Sequence, residues 1–107
     1  MTEKYKIKLS IKAKGDLKSI VLYIKNHLNE PAIANNYAKI IREEIQNLEY
    51  FPQKFAIIDD KSVKDFKIRK LIIKKYIVFY RVNEDKKIVN VERILYSESN
   101  WINELCF

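Results

Sequence analysis

Apolar and polar residues alternate with period two at the start of the chain. Tyr5, Ile7, Leu9 and Ile11 interleave with Lys4, Lys6, Lys8 and Ser10, which predicts a strand with one apolar and one wet face. Lysines on such a strand also discourage pairing at an exposed sheet edge. From about Ile11 the period lengthens. Ala13, Leu17, Ile20, Val21, Ile24 and Leu28 fall at helical spacing, so a first helix is expected to end near 27–29. Gly15, the only glycine, lies inside it at a cost of about 1 kcal/mol relative to alanine. Asp16, early in this helix, suits the positive end of its dipole. A second helix is expected after it, with Asn29 as N-cap and Pro31 in the first turn, where an amide has no helical partner. Its stripe is Ala34, Tyr37, Ala38, Ile41, Ile45 and Leu48, and Pro52 is expected to stop it. The short link between the helices implies an antiparallel pair.

Residues 52–65 are the least regular, with a short extended piece at 55–58 and a polar loop at 59–62. The stretch from Phe66 to Tyr96 then reads as three consecutive strands, Lys67–Ile73, Tyr76–Val82 and Ile88–Tyr96. Lys74–Lys75 and the polar residues 83–86 form the turns of an antiparallel meander. On the middle strand Tyr76, Val78, Tyr80 and Val82 share one face, and Ile77, Phe79 and Arg81 the other. On the last strand Val89, Val91, Arg93 and Leu95 fall together, opposite Asn90, Glu92, Ile94 and Tyr96. A one-residue bulge would invert either set. Arg93, in phase with three apolar residues, is near a strand end, paired, or displaced by such a bulge. Trp101 and Leu105 are expected to pack back from a short C-terminal helical turn. The expected fold is α+β, one domain over 1–107, in the order β-α-α-β-β-β. Two antiparallel helices cover one face of a four-stranded, mainly antiparallel sheet, and the other face is open.

A chain of 107 residues allows one domain with a modest core. Hydrophobic residues at 48% and charged residues at 33% place it among globular chains. No apolar run approaches 18 residues, and the first residues hold no apolar signal core, so no membrane span and a cytoplasmic location are expected. The net charge of +7 points to an anionic partner, namely nucleic acid, a ribosome or an acidic protein, unless it reflects only a lysine-rich surface. Cys106 is the only cysteine and His27 the only histidine, which argues against an internal disulfide and a zinc-type site. Cys106 reads as an incidental thiol, and His27 as a cation suited to the end of the first helix. No glycine-rich phosphate loop or serine-centred motif occurs, and no cofactor is expected.

Several features, taken in order, resemble one family. They are Ala13, Asp16–Leu17, Ile20 and Tyr23–Ile24, then Pro31, Ala34, Leu48 and Pro52. Ile68–Arg69–Lys70–Leu71, Tyr76–Val82, Arg93–Ile94–Leu95–Tyr96 and Asn100–Trp101 follow. Their order and spacing resemble the RelE/ParE superfamily of type II toxin–antitoxin toxins over nearly the whole chain. The resemblance implies a bacterial or plasmid-borne toxin (a plasmid stabilisation protein) neutralised by a cognate antitoxin. RelE-like members enter the ribosome and cleave mRNA, whereas ParE-like members inhibit DNA gyrase without catalysis of their own.

Metal-independent RNA cleavage needs activation of a 2′-hydroxyl, cations for the charged phosphorane and a proton donor. On that reading Lys70, Arg81 and Tyr96 are the catalytic candidates. Arg69, Arg93, Lys74 and Lys75 are candidates for binding RNA or antitoxin. Two departures stand against cleavage. The RelE-type arginine after the tyrosine that opens the middle strand is Ile77 here. The basic stretch after the last strand is Ser97–Glu98–Ser99, with a carboxylate that repels phosphate. The sequence therefore leads to an antitoxin-neutralised toxin, with RelE-like mRNA cleavage first, ParE-like gyrase inhibition as the alternative, and an inactive antitoxin-binding member third.

Overall fold

The computed structural model describes residues 4–28 and 31–105. Its elements are β1 (Lys6–Leu9), α1 (Ile11–Leu28), α2 (Pro31–Gln46), β2 (Arg69–Ile73), β3 (Tyr76–Asn83), β4 (Ile88–Tyr96) and α3 (Trp101–Glu104). Short 3-10 turns at Asn47–Glu49, Pro52–Lys54 and Lys64–Phe66 punctuate the stretch between α2 and β2. The strands form one sheet in the order β1-β4-β3-β2. β1 runs parallel to β4, and the other two pairings are antiparallel. This is the expected α+β order. The Leu28 side chain, Asn29 and Cys106 lie outside the described residues.

The switch from β1 to α1 is made by Ser10. Its hydroxyl accepts the Ala13 N–H at 2.9 Å and donates to the Glu92 carbonyl at 2.7 Å, so one side chain caps the helix and ties it to β4. Strand parity ends there. Ile11, expected on the apolar face of the strand, is 89% exposed at the helix start. Asp16 also departs from expectation. Its carboxylate does not serve the helix dipole but accepts from Arg93 Nε at 2.7 Å, Arg93 Nη2 at 2.9 Å and the Ile94 N–H at 2.9 Å. Pro52 does not stop α2, which has already given way to the Asn47–Glu49 turn that buries Leu48. Pro52 opens the next turn instead, and its carbonyl accepts the Tyr80 hydroxyl.

The main core lies between the helix pair and the sheet. Ala13, Leu17, Ile20 and Ile24 of α1 meet Ala34, Ile41 and Ile45 of α2 over Leu71, Val78, Tyr80, Val89, Val91 and Ile94. β3 keeps its expected parity. β4 does not, because Phe79 pairs with Arg93 while Tyr80 pairs with Val91. Glu92 is thus the extra residue of a bulge, which inverts the faces beyond it. Val89 and Val91 stay under the helices with Ile94, whereas Leu95 turns to the opposite side. Of the explanations open for Arg93, both displacement by a bulge and pairing hold.

The second face of the sheet is not open. Ile77, Phe79 and Leu95 are buried there beneath Ile58, Val63, Ile68 and Leu105, with Trp101 packed alongside. Residues 55–58 supply part of this cover as a short extended piece. Ile57 bridges Arg69, the Ile58 N–H donates to Ile68, and the Lys70 N–H donates to Ala56. β2 starts at Arg69 rather than Lys67 because Lys67 is left-handed, φ 54°, and closes the preceding turn.

Candidate functional site

Lys70 lies opposite Phe79 in the β2–β3 pairing, on the second face, with its ammonium 5.7 Å from the centre of the Trp101 ring. Arg81 is two residues beyond Phe79 on the same face. Its Nε donates to the Phe66 carbonyl at 3.1 Å, and its guanidinium sits 5.9 Å from the Phe66 ring centre. Arg81 lines an open depression of about 600 Å³ with Lys67, Arg69, Glu84, Asp85 and Glu92. Three cations face three carboxylates, so the depression is of mixed charge rather than a phosphate funnel.

Tyr96 is elsewhere. It pairs with Tyr76 at the other end of β3, on the helix side of the sheet. Its hydroxyl donates to Glu98 Oε2 at 3.1 Å. That hydrogen bond first, and the Glu98 charge second, raise its pKa above the usual phenol value. A more tightly held proton makes the Tyr96 hydroxyl a poorer acid towards a leaving oxygen and leaves less phenolate to act as a base. The three catalytic candidates are thus split, with Lys70 and Arg81 on one face and Tyr96 on the other. Ile77, where an arginine would complete a RelE-type set, is 4% exposed in the second core.

Two candidate binding arginines bind the protein itself. Arg69 Nη1 donates to the carbonyls of Gln53 at 2.9 Å and Phe55 at 2.6 Å, fastening the irregular segment to β2. Arg93 adds to its Asp16 pair a hydrogen bond to the Glu104 carbonyl at 3.3 Å. It therefore holds α1, β4 and α3 together. Lys74, left-handed in the β2–β3 turn, places its ammonium 5.4 Å from the centre of the Tyr37 ring. Lys75 is exposed beside it. His27 stacks on Tyr23 with ring centres 4.0 Å apart. Among the described residues no group of His, Cys, Asp or Glu could hold a metal ion, and no helix is long and apolar enough to cross a membrane.

One grouping has almost no trace in the sequence pattern. Tyr37 and Tyr96 both meet the Tyr76 ring edge-on, with centres 5.7 and 5.9 Å away. The Tyr76 phenol is pushed up by burial and by its neighbours Tyr37, Tyr23 and Tyr96. These residues come from α1, α2, β3 and β4. The only hint in the sequence is that Tyr23 falls off the apolar stripe of its helix.

The family profile described as "ParE toxin of type II toxin-antitoxin system, parDE" matches residues 7–101. The chain belongs to the ParE toxin family. The ParE family falls within the wider superfamily that the sequence resembles. No curated protein matches the chain. Among solved structures, a chromosomal ParDE system from P. aeruginosa is similar at TM-score 0.71 and 21% identity, over 89% of this chain and 98% of that one. The RelBE2 toxin–antitoxin complex of Mycobacterium tuberculosis gives 0.63 and 14%, over 90% and 94%. A mutant of the E. coli toxin RelE in the free state gives 0.63 and 10%, over 94% and 92%. At these identities the structural likeness speaks for the fold alone. The ParE match carries the family, and it favours the ParE-like reading over mRNA cleavage.

Proposed function

We propose that this ParE-family toxin arrests growth by binding a protein target, DNA gyrase, with no catalysis of its own, and that a cognate antitoxin neutralises it. The observation that carries this reading is the dispersal of the cleavage chemistry. Tyr96 is committed to Glu98 on the helix side, Lys70 and Arg81 lie on the second face, and Ile77 is buried. A phosphodiester in contact with Lys70 and Arg81 would lie on the opposite sheet face from Tyr96, the tyrosine that the cleavage reading needs for proton transfer. The P. aeruginosa and M. tuberculosis structures are described as toxin–antitoxin systems, which supports an antitoxin partner here. The charge of +7 favours an acidic one.

The test is induced expression in a bacterial host, with RNA 5′ ends and plasmid topology read from the same culture. The expected outcome is relaxed plasmid or a broken chromosome with intact translated messages, unchanged in Lys70→Ala and Arg81→Ala. New cuts in translated messages, lost in those variants, would establish the ribosome-dependent nuclease instead.

A further inference from the structure

We infer that the tyrosine cluster beside the β2–β3 turn is where an acidic, apolar-anchored segment of the antitoxin docks. This inference rests on the toxin–antitoxin reading above and gives it a location. Tyr76 and Tyr37 are seated on the main core, and Tyr96, 39% exposed, meets the Tyr76 ring edge-on. Tyr23, 56% exposed, is near enough to help raise the Tyr76 and Tyr96 phenols. Three of the seven tyrosines in the chain thus meet ring to ring with a fourth nearby, brought there from four different elements. The core does not require the outer pair. Rigid, amphipathic tyrosines, with few rotamers to freeze, are the side chains that anchor protein interfaces.

Charge says what kind of segment fits. Lys74 and Lys75 form the adjoining turn. On α1, which supplies Tyr23, Lys12 lies on the same side of the helix about three turns away, and the one acid of that helix, Asp16, is held by Arg93. A partner rich in carboxylates complements the lysines of the turn and of this helix side. A nucleic acid fits less well. Base stacking needs free ring faces, yet His27 covers one face of Tyr23 and the Lys74 ammonium stands over Tyr37. Glu98 sits at the Tyr96 hydroxyl. A peptide can place a neutral residue beside Glu98, whereas a nucleic-acid backbone carries a charge on every unit.

The experiment titrates the full-length toxin with the product of its adjacent antitoxin gene, and separately with a single-stranded RNA. The wild type is compared with Tyr23→Ala/Tyr96→Ala, with Lys74→Glu/Lys75→Glu, and with Tyr50→Ala/Phe51→Ala as an exposed aromatic pair elsewhere. Circular dichroism confirms that each variant is folded. The tyrosine pair is expected to weaken antitoxin binding by about 100-fold, as the loss of two interface anchors should. The lysine reversal should weaken it about 10-fold and flatten its salt dependence, and the control pair should leave it within about 3-fold. Wild-type affinity in the tyrosine variant overturns the location while leaving the toxin–antitoxin reading intact. No antitoxin binding by the wild type overturns both. A tyrosine-dependent loss seen for RNA but not for antitoxin overturns the protein partner.

Discussion

Arg93 is the residue on which most depends. Its guanidinium and the Asp16 carboxylate are 20% and 14% exposed as side chains, so each would be left poorly solvated without the other. Arg93→Ala should therefore lower stability by roughly 2–3 kcal/mol, measured by urea unfolding, and should loosen α3 first. Tyr80 offers a pH test. Burial pushes its phenol up to about 12, against a smaller lowering by Arg69. A proton held more tightly when folded stabilises fully below the unfolded value near 10 and is lost as pH rises from 10 towards 12. Unfolding midpoints should fall across that window, and Tyr80→Phe should flatten the fall. At neutral pH the same variant should cost about 1 kcal/mol, because the Pro52 carbonyl loses its donor. A Tyr80→Phe protein as alkali-sensitive as the wild type would contradict this account. Arg93 was conspicuous in the sequence because it broke an apolar phase. Its partner was not legible, since Asp16 lies 77 positions away and reads equally well as a dipole charge.

The elements were largely legible. Period two gave β1, helical spacing gave α1 and α2, and turn residues separated the last three strands. What the pattern could not give was the bulge at Glu92, because an extra residue on one strand shows only against its partner. It also missed the cover on the second face, because residues 52–68 have no regular period. These two features decide the fate of the candidate site. Ile77 is sealed by that cover, so Ile77→Arg should not restore a nuclease. It should bury an unpaired cation and cost more than about 3 kcal/mol, giving insoluble or unfolded protein on expression. Gly15 supplies a test of opposite sign. It sits within α1 at ordinary φ, and a Cβ there would meet nothing within 4 Å. Gly15→Ala should stabilise by about 0.5–1 kcal/mol, seen as a rise in thermal midpoint without change in toxicity.

For the whole molecule, the sequence made the superfamily visible but left its two mechanisms open. Mechanism depends on which side chains converge, and convergence is a property of the sheet faces rather than of spacing along the chain. The ParE-family match and the split between Tyr96 and the Lys70–Arg81 face now point the same way. The most direct measurement is DNA supercoiling by purified gyrase, with the purified toxin titrated in and no ribosomes present. Supercoiling should stop as toxin reaches parity with gyrase, antitoxin should restore it, and Lys70→Ala should inhibit as well as wild type. Undiminished supercoiling under a large excess of folded toxin would contradict it.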